Sequence, residues 1–104
     1  MHGMSILAVE ISVPNAVDVS ISSNTLTVDL DDGRSVSVPI SWYPRLANGS
    51  PLEKKQWRLI AGGRGIHWEA LDEDISIEGL ITGKPSNESQ LSLEKWLKSR
   101  ESKH

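Results

Sequence analysis

Three features of the sequence predict an α+β fold: an antiparallel β-meander with a short central helix, further short strands and a C-terminal helix. First, apolar residues alternate with polar ones through three neighbouring segments, at Val17, Val19, Ile21, then Leu26, Val28, Leu30, then Val36, Val38, Ile40. Period two marks half-buried strands. Second, Ser50-Pro51-Leu52-Glu53 carries the signals of a helix start. Third, Leu93, Trp96, Leu97 and Arg100 recur at i, i+3, i+4 and i+7, the stripe of an amphipathic helix.

Pairing arithmetic decides the turns of the meander. A two-residue Ser23-Asn24 turn sets Ile21 opposite Leu26, Val19 opposite Val28 and Val17 opposite Leu30, with every apolar group on one face. Asn24 tolerates the positive φ that such turns require. At the second turn, a two-residue Asp32-Gly33 loop would pair Val28 with Ser37 and invert a strand. The three-residue loop Asp31-Asp32-Gly33 instead pairs Val28 with Val36 and Leu26 with Val38. It sets Gly33 at the left-handed position of a type I turn with a bulge. Upstream, Ile6, Ala8, Val9, Ile11 and Val13 predict a further strand ended by Pro14.

Ser50 is placed to cap, Pro51 to fill the first helical position and Glu53 to close a capping box. The expected helix runs from Pro51 to Ile60 and stops at Gly62 or Gly63. Leu52, Leu59 and Ile60 then share one side, flanked by Trp57, and Lys54, Lys55 and Arg58 are left for solvent or a partner. Short strands are expected around Ile66–Trp68 and Ile75–Ile77, on either side of an acidic loop, with Gly79 and Gly83 marking the exit. Lys84-Pro85-Ser86-Asn87 reads as a linker to the final helix, for which Ser92 is the candidate cap. The chain thus divides into a single α+β domain over residues 1–83 and a linker with C-terminal helix over residues 84–104.

Composition narrows the function classes. A chain of 104 residues holds one modest core. Eleven Lys and Arg against fourteen Asp and Glu leave a net charge of −3, with no overall attraction to nucleic acid or anionic lipid. Apolar runs of a few residues cannot span a bilayer, so no membrane partner is expected. The Met1-His2-Gly3 start lacks the features of a signal peptide. The absence of Cys excludes disulfides, thiolate metal sites and thiol catalysis, and fits a cytoplasmic location.

Candidate chemistry is sparse. Gly62-Gly63-Arg64-Gly65 has the look of an anion-binding loop, but it follows an expected helix and lacks the Lys-Ser/Thr ending, so helix termination is the favoured reading. His67, Glu69, Asp72 and Asp74 could supply metal ligands, yet the other histidines, His2 and His104, are terminal. No metal or other cofactor is expected. Joining His67 to Tyr43, Arg45, Arg58 or Arg64 would suggest ribonuclease-like chemistry, but no spacing assembles a nucleophile, a base and an oxyanion stabiliser. The expected protein is therefore not an enzyme. At least one of Asp72, Glu73 and Asp74 is expected to pair with Arg45, Arg58 or Arg64 and order the acidic loop. Trp42, Trp57 and Trp68 are read as core, whereas Trp96 fits core and interface alike. A three-turn helix is marginal alone, so Leu93, Trp96, Leu97 and Arg100 are the expected interaction face, in the simplest case docking on a second copy in a homodimer.

The run Asp32-Gly33-Arg34, Val38-Pro39 and Trp42-Tyr43-Pro44-Arg45-Leu46 resembles the bacterial family known as domain of unknown function 2442. So do Trp57-Arg58-Leu59-Ile60, Gly65-Ile66-His67-Trp68 and the stretch from Leu71 to Leu80. The likeness covers about Val17 to Gly83, and the pattern of Glu88, Leu93, Trp96, Leu97 and Arg100 resembles a C-terminal extension of some members. It implies a small α+β domain with a β-meander and carries no catalytic assignment. It marks Trp42, Tyr43, Arg45, Arg58, Arg64, His67, Trp68, Asp72 and Asp74 as the motif surface. Members resemble one half of compact two-gene arrangements, for which toxin–antitoxin roles are proposed, and longer members carry a DNA-binding domain. The resemblance therefore implies an interaction module, antitoxin-like and partnered by a small neighbouring protein. A nucleic-acid-binding regulator is the second reading, weakened because one terminal helix is too little for a helix-turn-helix; a small enzyme using His67 is the third.

Overall fold

The computed structural model describes residues 13–101; most of the strand expected before Pro14 lies outside the described residues. Strands β1 (Ala16–Ile21), β2 (Thr25–Leu30) and β3 (Ser35–Pro39) form one antiparallel meander, in that order. A 3-10 turn over Ile40–Trp42 leads to helices α1 (Pro44–Ala47) and α2 (Pro51–Lys55). Strands β4 (Trp57–Ile60), β5 (Gly65–Trp68) and β6 (Glu73–Ser76) form a second antiparallel meander. Helix α3 (Ile77–Ile81) follows directly, and α4 (Gln90–Glu101) ends the described chain. The fold is α+β.

The first meander has the expected register. Ile21 faces Leu26, Val19 faces Val28, Val28 faces Val36 and Leu26 faces Val38. Ser22 donates its amide to the Thr25 carbonyl across the Ser23-Asn24 turn at 2.9 Å, but Asn24 does not take the positive φ expected of it. Leu30 donates to Arg34 across the three-residue loop at 2.8 Å, with Gly33 at φ 93°. One pairing differs. A bulge between Ala16 and Asp18 puts Ala16 opposite Leu30. Ala16 is thereby buried, and Val17 turns outward, 53% exposed, because one extra residue reverses the facing of those before it.

The central helix is shorter than expected. Its capping box forms: Ser50 Oγ accepts from the Glu53 amide, and the Glu53 carboxylate accepts from the Ser50 amide at 2.9 Å. The helix nevertheless stops at Lys55, and Trp57–Ile60 is a strand paired with β5, Trp57 to Trp68 and Leu59 to Ile66. A capping signal acts over one turn, whereas ladder hydrogen bonds and cross-strand contacts between Trp and β-branched residues stabilise the strand along its whole length. Leu52 is left exposed rather than facing the core. Gly62 and Gly63, with φ 68° and 96°, belong to the β4–β5 hairpin turn and do not end a helix. The strand expected over Ile75–Ile77 ends at Ser76, which caps α3, and Ile77 is its first helical residue. Ser89, not Ser92, starts the last helix: its Oγ accepts the Ser92 amide at 3.0 Å and its carbonyl the Leu93 amide.

One core joins both sheets. Leu26, Val28 and Val38 meet Ile66, Trp68 and Ile75, with Leu46, Leu71, Ile77 and Leu80 closing the cluster. Trp68 is fully buried, and its indole N–H donates to the Lys54 carbonyl at 3.1 Å, which satisfies the one polar atom of the ring.

Candidate functional site

Arg45 is the centre of the motif surface. Pro44 starts α1, and Arg45 is its second residue. Its Nε donates to both Glu88 carboxylate oxygens at 2.9 Å, and its Nη2 reaches Glu88 at 2.7 Å. Its Nη1 donates to Asp72 Oδ2 and to the Asp72 carbonyl, each at 3.2 Å. The acidic loop is therefore paired with an Arg, as expected. Glu88 is nearly enclosed and also accepts from Ser92 Oγ at 2.8 Å, whereas the Asp72 side chain is largely in solvent. The Glu88 fork is thus the stronger of the two pairs. Arg45 holds the Glu88 carboxyl below its ordinary range.

Trp96 lies between two guanidinium groups, Arg45 at 5.2 Å and Arg100 at 4.7 Å from the ring centroid. Arg100 is itself held by Glu53, at 2.8 and 3.1 Å. Arg100, helped by the Ser50 amide, pulls the Glu53 carboxyl down to about 2. Trp96 packs on the core cluster, and Leu93, Leu97 and Arg100 are half-buried. The chain's own body thus takes up much of the face that the sequence assigns to a second molecule: Trp96 finds aromatic-face cation contacts and apolar cover intramolecularly.

His67 projects from β5. Its Nδ1 is in contact with Asp74 Oδ1 and its Nε2 with Glu69 Oε1 at 2.9 Å. Asp74, then Glu69, raise its pKa above the ordinary histidine range. Glu69 also meets Arg58 at 3.6 Å. Asp72 faces Arg45 instead, so the four groups do not converge, and the described residues contain no group of three or more His, Cys, Asp or Glu able to hold a metal ion. Arg64 stands in the β4–β5 turn, where its carbonyl accepts the Ile77 amide at 2.9 Å. Trp42 and Trp57 pack partly buried on the core, as expected for body residues. Tyr43 is buried, and its hydroxyl has no hydrogen-bond partner.

Sequence reasoning named Glu88, Glu53 and Glu73 but missed that Glu88 holds Arg45, that Glu53 holds Arg100 and that Glu73 is half-buried without an ion pair among the described residues. Glu88 and Arg45 are 43 residues apart, and no spacing announces such a pair. Glu73 is pushed up to about 7, chiefly by burial and then by the neighbouring Glu88 charge. Also missed was an apolar groove of about 440 Å³ lined by Val19, Ile21, Pro51, Lys54, Lys55 and Trp57. Among the described residues, neither Lys54 nor Lys55 has a carboxylate in salt-bridge range.

The model of a protein family of unknown function, DUF2442, matches residues 16–86. The chain belongs to that family. This DUF2442 member is similar to a protein of unknown function from Rhodospirillum rubrum, known by crystal structure: 28% identity, 77% of this chain and 99% of that one covered, TM-score 0.65. An uncharacterised protein of Chromobacterium violaceum, solved by NMR, shares the fold at 21% identity and TM-score 0.62, with 88% of this chain and 83% of that one covered. No curated protein matches. Among the described residues of this family member, no helix is long and apolar enough to cross a membrane.

Proposed function

We propose that this DUF2442 protein is a non-catalytic interaction module whose partner is a small protein, the antitoxin-like arrangement that the resemblance implies. The supporting observation is how its charges are distributed. Arg45, Arg100 and His67, the groups best suited to anion binding or proton transfer, are each engaged by carboxylates of the same chain. A base needs a free lone pair within reach of a substrate proton, and both nitrogens of His67 are engaged. Lys54 and Lys55 have no such partner and stand at the rim of an apolar groove floored by Trp57, Ile21 and Val19.

A groove of this kind fits a short acidic–apolar segment. An apolar side chain covers Trp57 and Pro51, an adjacent carboxylate meets the lysines, and Ser22 and Ser23 offer hydroxyls at the rim. Replacing Ser23 by a photo-crosslinking phenylalanine analogue in the native host tests this. The expected product joins the groove to one small protein through a peptide holding Asp or Glu beside apolar residues. Lys54→Glu with Lys55→Glu abolishes it, and exchanging the partner's acidic residue for Lys restores it. Crosslinks indifferent to the charge reversal refute the reading; crosslinks to a second copy of the chain replace it with self-association.

A further inference from the structure

The groove beside Trp57 runs along the free edge of a strand. β1 is an outer strand of its sheet and pairs on one side only, with β2. Ser22 and Thr25 close the hairpin, Ser22 donating to the Thr25 carbonyl. Hydrogen-bonded and non-hydrogen-bonded pairs alternate along an antiparallel ladder. Ser20 therefore turns its amide and carbonyl toward Thr27, and Val19 and Ile21 turn theirs outward. The outward Val19 amide finds its acceptor in the next residue, Asp18 Oδ1 at 2.9 Å, and not in a strand. The Val19 carbonyl and both outward groups of Ile21 have no hydrogen-bond partner among the described residues.

This edge is the one the groove opens. Five successive residues, Val19 to Ser23, line it. Neighbouring side chains point to opposite faces of a sheet, so a cavity touched by all five lies along the edge and not over one face. The start of β1 is closed, since a Cβ on Gly63 would stand 2.9 Å from the Ala16 carbonyl oxygen. The sheet's other edge, β3, ends in Pro39, which has no amide to donate.

We propose, resting on the interaction reading above, that the partner segment binds as an antiparallel strand added to β1, apolar at alternate positions and flanked by a carboxylate. The residues opposite Val19 and Ile21 donate their amides to those two carbonyls, and the residue opposite Ile21 also accepts the Ile21 amide. Their side chains share the face of Val19 and Ile21 and cover Trp57 and Pro51. The residue between them faces solvent beside Ser20, and the flanking carboxylate meets Lys54 or Lys55 at the rim. Val19 to Ser23 spans about 14 Å at ~3.4 Å per residue, the reach of about five ligand residues. A helix bonds its amides within itself and leaves Ile21 unpaired. Main-chain bonds supply the affinity of such an added strand, and its alternate side chains the selectivity.

The test is an NMR titration of the full chain with the capped peptide Asp-Val-Thr-Val-Asp, and with versions N-methylated on both valines or on the threonine. In the free protein the Ile21 amide should exchange with solvent freely, and that of Ser20, bonded to β2, slowly; the saturating peptide should slow Ile21. Methylating the valines should weaken binding at least about fivefold, through two lost main-chain bonds, and methylating the threonine should leave it unchanged. Lys54→Glu with Lys55→Glu should weaken the parent peptide, a readout of the groove's charge and not of the strand. Charge-dependent binding indifferent to valine methylation would overturn strand addition and leave the groove reading standing. A greater loss from threonine than from valine methylation, or no saturation at millimolar peptide, would also overturn it, with the crosslinking in the host still deciding the groove reading. Slow exchange of Ile21 in the free protein would overturn it as well: fading on dilution, it would place a second copy on the edge, and persisting, the chain's own backbone.

Discussion

Trp96→Ala should undock α4 while leaving the two meanders folded. The indole is half-buried on the core and sandwiched by Arg45 and Arg100. Half of a Trp's ~200 Å² is roughly 100 Å² of apolar cover, or about 2.5 kcal/mol at ~25 cal/mol/Å². Two guanidinium–ring contacts add about 0.5–1 kcal/mol each. The freed arginines regain hydration, and Arg100 keeps its Glu53 pair, so the net loss should be about 3 kcal/mol. At about 1.4 kcal/mol per decade, amide-exchange protection over residues 93–101 should fall roughly a hundredfold or vanish. Protection in β2 and β5 should hold, since their core partners are untouched. Hydrogen exchange read by mass spectrometry or NMR measures both, and Lys98→Ala, on the exposed side of α4, is the neutral control. Unchanged protection of α4 would show that the sandwich contributes nothing. Equal loss in β2 and β5 would show that Trp96 belongs to the cooperative core.

Three further expectations follow from the charges and the backbone. His67 titrates above 6.5 because Asp74, then Glu69, favour its charged form; its contribution to stability is complete below that ordinary value and is lost as pH rises through the folded value. Imidazole NMR should show Asp74→Asn lowering the midpoint more than Glu69→Gln, and a native midpoint at or below 6.5 would contradict the assignment. Glu53, at about 2, stabilises above its ordinary 4.5, and this is lost as pH falls toward 2; solvent screening limits the worth of this half-buried pair to about 1 kcal/mol. Arg100→Gln should move the Glu53 carboxyl titration up toward 4.5 in carbon-detected NMR, and no movement would leave the capping box as its cause. Gly33→Ala meets only a left-handed backbone (φ 93°) in open space and should cost about 1–2 kcal/mol. Gly63→Ala adds a Cβ 2.9 Å from the Ala16 carbonyl oxygen to its own φ of 96° and should cost at least about 1 kcal/mol more in urea melts; equal costs would refute the close-contact argument.

The sequence by itself determined the first meander, its register from Val19 onward and the lengths of both turns, because period-two alternation and turn residues act over two to five positions; the left-handed conformation expected of Asn24 is not adopted. Ser50, Pro51 and Glu53 announced a helix start for the same reason, and a capping box forms there. The tertiary structure decided where that helix ends. Trp57–Ile60 has no partner within its own stretch, and the ladder it forms with Gly65–Trp68 exists only once the Gly62-Gly63 turn folds back. The bulge that exchanges Val17 for Ala16 in the core is likewise invisible to alternation. Of the site, the sequence located Arg45, His67, Asp72 and Trp96 and foresaw an Arg–carboxylate pair at the acidic loop. It did not foresee that Glu88 holds Arg45, that Glu53 holds Arg100 or that the Tyr43 hydroxyl is enclosed. Ion pairs across 43 and 47 residues and an enclosed hydroxyl arise from packing distant pieces of chain together, and local patterns carry no record of that.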